Sequence, residues 1–131
     1  MRTKISISAL FLFCFLTGFA QIKGPEAYLS YASYNTPSGQ SYFETYLTVK
    51  ARTVMFGKNA NNQYQCKVKI SVQFSQGDSV KLSDAYNLLS RETTDTTKKF
   101  DFIGVKRYWL AKGEYVVLMK IEDVNNPNGS T

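Results

Sequence analysis

The chain has 131 residues, a net charge of +6 and no histidine. This length is enough for a single domain. The absence of histidine excludes Ser–His and Cys–His nucleophile pairs and removes the commonest metal ligand of proteins. Lysines are scattered along the chain, and their longest run is Lys98–Lys99. Because nucleic-acid binding needs clustered basic residues, the composition argues against a nucleic-acid partner.

Residues 1–20 have the three parts of a secretory signal. A basic start at Arg2 and Lys4 precedes an apolar block, residues 9–16, and a small-x-small cleavage site that ends at Ala20. The apolar block is shorter than the ~20 residues that a membrane-spanning helix needs. No later apolar run is long enough for such a helix. We therefore expect cleavage after Ala20 and an exported protein, located in the periplasm, at the outer membrane or outside the cell.

The two cysteines have different expected fates. Cys14 lies inside the signal, so Cys66 is the only thiol expected in the mature protein, and no internal disulfide can form. Cys66 occupies an apolar position between Tyr64 and Val68. We expect it to be a small buried hydrophobe and not a reactive thiol.

After a short leader, residues 21–26, the first part of the chain predicts three β-strands. Residues 27–34 are rich in tyrosine, a residue that favours strands, and a Pro- and Gly-containing turn follows them. Residues 41–49 alternate between two sets of side chains, as a strand requires. Residues 53–56 predict a short strand before an asparagine-rich turn.

The clearest strand is predicted over residues 64–74. Apolar residues occupy every even position and polar residues occupy every odd position of this segment. Alternation with period two places the two sets on opposite faces of a sheet, one dry and one wet. Burial on one face only also favours antiparallel pairing.

The second half of the chain predicts further strands with less regular patterns. Residues 80–89 predict one strand or two short pieces broken near their centre, and the polar residues 91–99 predict a loop. Residues 100–110 predict a strand interrupted near Gly104, and residues 114–124 predict the last strand. No segment carries a helical apolar stripe over three turns.

About seven short strands separated by turns predict an all-β, immunoglobulin-like antiparallel β-sandwich over residues 27–124. The pattern Leu-x-x-Gly-x-Tyr-x-Val that starts at Leu110 is typical of the corner before the penultimate strand of such domains. The tail, residues 125–131, has the composition of a linker and predicts a truncation point before a further domain. The alternative is a simple frayed terminus.

The same pattern assigns faces on the last predicted strand. Tyr115 and alternate residues after it are expected to face inward, which leaves Val116 and Leu118 on the outer face. Exposed apolar side chains on a strand indicate a covering partner. Val116 and Leu118 are therefore a candidate interface with a downstream domain or with another envelope protein.

Tyrosine and tryptophan side chains supply a second candidate site. Tyr42, Tyr46 and Trp109 are candidates for a glycan-stacking platform, because flat amphipathic rings offer apolar area at low entropic cost. The alternative is that these rings belong to the core or cover the sheet, since half of the side chains of any strand face inward.

The acidic residues do not form a catalytic or metal-binding pattern. A glycosidase needs two carboxyl groups that flank one cleft, whereas the adjacent Glu122 and Asp123 are expected on opposite faces of a strand. The other acidic residues lie near turns, and their spacing matches no known calcium loop. We expect no catalytic residue, no metal and no cofactor, and hence a protein that is not an enzyme.

Several segments of the mature chain together resemble a known family. These segments are Ala27-Tyr28-Leu29-Ser30-Tyr31, Phe43-Glu44-Thr45-Tyr46-Leu47, Gln76-Gly77-Asp78-Ser79, Tyr86-Asn87-Leu88-Leu89-Ser90, Asp95-Thr96-Thr97 and Arg107-Tyr108-Trp109-Leu110 with Gly113 and Tyr115. They resemble the N-terminal region of the GWxTD-domain proteins of Bacteroidetes-type bacteria. The signature motif itself is absent, because Trp109 follows Tyr108 and not a glycine. The resemblance implies an exported envelope protein with a leading β-sandwich, and it implies no reaction.

The sequence therefore predicts a non-catalytic interaction or structural domain at the N-terminus of an exported cell-envelope protein. The alternative function is a glycan-binding module that uses Tyr42, Tyr46 and Trp109.

Overall fold

The computed structural model describes residues 24–126 and residue 128, and this part of the chain is all-β, as predicted. Its seven strands are β1 (Ala27–Asn35), β2 (Ser41–Val49), β3 (Phe56–Lys58), β4 (Tyr64–Gln76), β5 (Ser79–Leu89), β6 (Phe102–Trp109) and β7 (Val116–Asp123). The predicted signal, half of the predicted leader and most of the predicted tail lie outside the described residues. Over the described residues, no helix has the length and apolar character needed to cross a membrane.

The strands form two antiparallel sheets that pack face to face. Sheet I has the order β1-β2-β6. In sheet II, the central strand β4 pairs with β5 along one edge and with β7 along the other edge. The short strand β3 pairs with the start of β4. Contacts between the inner faces join the two sheets, and the Phe43 and Tyr108 rings of sheet I both pack on the Phe74 ring of sheet II.

Strand β4 is the centre of the core, and its predicted alternation is confirmed. Its inner side chains Cys66, Val68, Ile70, Val72 and Phe74 are all buried. Leu47 and Val49 of β2 pack against this row from the opposite sheet.

Cys66 is buried, as predicted. Its backbone N–H donates a 2.9 Å hydrogen bond to the Ser90 hydroxyl, which holds this end of β4 in place. Burial raises the pKa of the Cys66 thiol, because desolvation disfavours the thiolate. The side chain therefore serves packing.

Two strands are continuous where the sequence predicts a break, because contacts with the opposite sheet accommodate their irregular residues. Strand β5 is continuous, and its inward Asp84 lies 3.1 Å from the Lys106 ammonium of β6. Strand β6 runs without interruption through Gly104, because the Leu88 methyl groups occupy the space beside it. A Cβ at this position would lie only 3.0 Å from them, so the glycine permits close packing of the sheets.

The predicted short strand over residues 53–56 is wrong. A 3-10 turn occupies Ala51–Thr53, and the strand β3 covers Phe56–Lys58. The Thr53 hydroxyl donates a 2.7 Å hydrogen bond to the Lys50 carbonyl, which favours the turn over an extended backbone.

The last strand has the predicted faces. Ile121 is buried, whereas Val116 and Leu118 are 71% and 66% exposed. Before the strand, the Tyr115 hydroxyl donates a 2.7 Å hydrogen bond to the Ala111 carbonyl. This bond closes the turn that carries the chain from sheet I to sheet II.

We expect Ile70→Ala to lower the free energy of unfolding by about 3 kcal/mol, because it removes a fully buried side chain and leaves a cavity between the sheets. The matched control is Lys69→Ala, on the exposed face of the same strand, where the change should stay within about 0.5 kcal/mol. Urea unfolding of both variants measures the difference. Equal effects would contradict the assigned faces of β4.

Candidate functional site: the aromatic face of sheet I

The outer face of sheet I presents four rows of side chains across its three strands. The antiparallel register aligns them as Tyr28–Thr48–Ile103, Ser30–Tyr46–Val105, Ala32–Glu44–Arg107 and Tyr34–Tyr42–Trp109. Directly opposed residues of neighbouring strands share one face, so these twelve side chains form a single surface. We call this surface the aromatic face.

The last row is an aromatic ladder. The Tyr34 and Tyr42 rings are stacked, with centroids 5.1 Å apart and planes 21° apart. The Trp109 ring lies 5.2 Å from Tyr42 at an angle of 54°. The Arg107 guanidinium lies 4.6 Å from the Tyr42 ring centroid, a cation–π distance. Tyr42 thus contacts Tyr34, Trp109 and Arg107 at once.

Aliphatic side chains extend this surface along β6. Ile103 and Val105 are 63% and 58% exposed, and Trp109 is 56% exposed. They project from one strand at alternate positions, next to Tyr28 and Tyr46. Contiguous exposed apolar side chains mark candidate interaction surfaces.

An ion pair between the buried Glu44 carboxylate and the half-exposed Arg107 guanidinium lies at the centre of the aromatic face. Arg107 donates two hydrogen bonds to Oε2 of Glu44, from Nε at 3.0 Å and from Nη2 at 2.7 Å, and the Tyr46 hydroxyl donates to the other carboxylate oxygen. Glu44 is 8% exposed. The Tyr46 and Arg107 hydrogen bonds hold the pKa of Glu44 below its ordinary value, and the Glu44 carboxylate raises the pKa of Tyr46. Glu44 is therefore an ionised anchor and not a proton donor.

The structure brings the three sequence-predicted platform residues together. Tyr42, Tyr46 and Trp109 lie on the same face, with Tyr42 and Trp109 in ring contact. The alternative assignment applies to other aromatic residues, since Phe74 and Tyr108 belong to the core.

Sequence reasoning missed residues that complete the face, above all Glu44 and Arg107. The alternation of Ile103, Val105, Arg107 and Trp109 along one predicted strand was a signal in the sequence that these side chains share a face. The contact of Tyr34 with Tyr42 left no such signal, because it depends on the register between two strands.

The predicted placement of Glu122 and Asp123 on opposite faces is confirmed. Asp123 is buried and accepts hydrogen bonds from the backbone N–H groups of Met55, at 2.8 Å, and Asn125, at 2.9 Å. Glu122 points outward and pairs with Lys120. Among the described residues, no group of three or more acidic, cysteine or histidine side chains lies close enough together to hold a metal ion.

A group of titratable side chains lies between the sheets at the β5–β6 side. The Lys106 ammonium lies 3.1 Å from Asp84 and 4.6 Å from the Tyr86 ring centroid, next to Tyr108. Burial raises the pKa of both Tyr86 and Tyr108. Both phenols therefore stay protonated at neutral pH, and the group acts as a packed polar contact between the sheets.

An apolar groove of about 580 Å³ opens at the opposite side, between the edge strands β1 and β7. We call it the edge groove. Its apolar lining comes from both sheets and includes Leu29, Tyr31, Phe43, Phe74, Tyr115 and Val117. The inner faces of β1 and β7 are incompletely covered along this groove.

Comparisons of the chain with protein-family models, with curated proteins and with solved structures find no match.

We expect Glu44→Gln to lower the thermal midpoint at pH 6 but to have a smaller effect at pH 3. The lowered pKa of Glu44 means that its carboxylate stabilises the fold above the ordinary value of 4.5, and that this contribution is lost as pH falls through the lower folded-state value. Thermal unfolding followed by circular dichroism at both pH values measures the gap between the two proteins. A gap that does not change with pH would contradict a stabilising ion pair.

Proposed function

We propose that this protein is a non-catalytic interaction domain at the N-terminus of an exported cell-envelope protein, and that it binds through the aromatic face. The observation that carries the proposal is the uncovered apolar surface of sheet I, with Ile103, Val105 and Trp109 exposed on one strand. Export is supported by the signal-like residues 1–20.

The chemistry of the aromatic face favours a protein partner. Trp, Tyr and Arg are the residues that most often carry the binding energy of protein interfaces, and Trp109, Tyr42 and Arg107 lie side by side here. Aliphatic Ile103 and Val105 add area that only an apolar partner surface would desolvate favourably. The partner is a downstream domain of the same polypeptide or another envelope protein.

An immunoglobulin-like topology is part of the proposal. It is supported by the two facing sheets and by the Tyr115–Ala111 hydrogen bond at the turn between β6 and β7. A tyrosine that bonds back to the backbone just before the penultimate strand is typical of that fold. On this assignment β7 corresponds to the penultimate strand. The proposed relationship to GWxTD-domain proteins rests on the sequence segments alone.

Site-specific photocross-linking tests the protein-binding function. A photoreactive residue at position 103, introduced into the protein in its host envelope, should give a discrete adduct of higher mass. The matched control is position 83, because Ser83 is exposed on the outer face of sheet II. Adducts of equal yield from both positions, or none from position 103, would contradict binding through the aromatic face.

A glycan-binding function is the second candidate, and the Tyr34–Tyr42–Trp109 ladder favours it. The ladder crosses three neighbouring strands and spans roughly 10 Å, two strand spacings. Its exposed rings present flat apolar area to the C–H face of a sugar ring.

Titration of Trp109 fluorescence with cell-surface polysaccharides tests this candidate, because the chain contains one tryptophan. We expect Tyr42→Ala to lower the affinity for a glycan by about tenfold, because the variant loses the ring contact with the sugar. Ile103→Ser, on the same face but outside the ladder, should leave glycan affinity unchanged. No fluorescence response to any polysaccharide would remove the glycan candidate.

A further inference from the structure

Strand β7 has a free backbone edge, and the hydrogen bonds at its end show which groups lie there. The Val124 N–H donates to the Lys67 carbonyl at 3.0 Å, so residues of the same parity in β7 direct their backbone groups toward β4. The N–H and C=O groups of Val117, Met119 and Ile121 therefore point away from β4. Among the described residues, no strand pairs with this side of β7.

The inner face of β1, across the edge groove from this free edge, is exposed where an inner face is ordinarily buried. Leu29 lies opposite the buried Leu47 of β2, so Leu29 and, two residues further on, Tyr31 face inward. They are nevertheless 42% and 68% exposed. Both line the edge groove together with Val117 of β7. Sheet II thus does not extend far enough to cover the inner face of β1.

The turn after β7 directs the chain toward the same free edge. The Asn126 N–H donates to the Asp123 carbonyl at 3.2 Å, and this carbonyl has the parity of the groups that point away from β4. The straight continuation of β7 along β4 is occupied by β3. The Asn125 side-chain amide donates to the Met55 carbonyl just before β3, at 3.0 Å. The chain that leaves Asn126 therefore starts on the free side of β7, as in a β-hairpin.

We propose that the edge groove is filled by an eighth strand, contributed by the chain that follows Thr131, which pairs in antiparallel orientation with the free edge of β7. The side chains of this strand that lie opposite Val117, Met119 and Ile121 enter the groove and are apolar, because directly opposed residues share one face. The inference rests on the immunoglobulin-like topology proposed above, in which β7 is the penultimate strand.

The following chain fits this edge better than the tail itself or a second copy does. Residues 127–131 are proline, asparagine, glycine, serine and threonine, so they bring no large apolar side chain to the groove. The outer-face charges of β7, Lys120 and Glu122, already pair with each other at 2.9 Å and select no second copy. The one inner-face charge of β7, Asp123, lies beside the turn and is bound by two backbone N–H groups, so the positions along the groove stay apolar.

Amide hydrogen exchange, measured residue by residue by nuclear magnetic resonance, tests the proposal. Two versions of the protein with the same start are compared, one that stops at residue 131 and one that continues through about 25 further codons of its gene, enough for a loop and one strand. We expect the N–H groups of Val117, Met119 and Ile121 to exchange about 100-fold more slowly in the longer version, because they become hydrogen-bonded. Leu118 and Lys120 are internal controls, since their N–H groups point toward β4 and should be protected in both versions.

A pair of variants of the longer version gives a second readout that does not need the shorter version to fold. Tyr31→Ser should lower the thermal midpoint by about 5 °C or more, because the proposed strand buries this ring. Leu89→Ser is the matched control at a half-exposed position of β5, outside the groove, and should lower the midpoint much less.

Fast exchange of Val117, Met119 and Ile121 in the longer version, or equal effects of the two variants, would overturn the proposal. A stop codon directly after residue 131 would overturn it as well. Protection in the shorter version that rises with protein concentration would assign the edge to a second copy and would equally count against it. None of these outcomes bears on cross-linking from position 103, so this inference and binding through the aromatic face fail independently.

Discussion

The structure depends on the burial of one face of β4. Its alternate apolar side chains pack against sheet I, while its two edges hold β5 on one side and β7 with β3 on the other. Side chains that are fully removed from water, such as Val68 and Ile70, supply the main favourable free energy of such a core. Because β4 contacts every other strand of sheet II, loss of its inner face would separate the two layers.

The aromatic face is a consequence of this burial. Strand β2 must turn Leu47 and Val49 toward β4, so the opposite parity of the strand, which includes Tyr42 and Tyr46, has to face outward. Pairing with β1 and β6 then places further tyrosines and Trp109 beside them. The Glu44–Arg107 pair uses the most buried position of this outer face. It keeps neighbouring rings in a defined arrangement without contributing a group for acid–base chemistry.

The sequence by itself determined the all-β class, the extent of β2, the dry and wet faces of β4 and the outward position of Leu118, because alternation with period two is a local property. Only the tertiary structure decided that β5 and β6 are continuous, since Asp84 and Gly104 are tolerated through contacts with the opposite sheet. Strand register likewise joined Tyr34 to Tyr42 and Arg107 to Glu44. Such pairings link residues that are distant in the chain, so no local pattern specifies them.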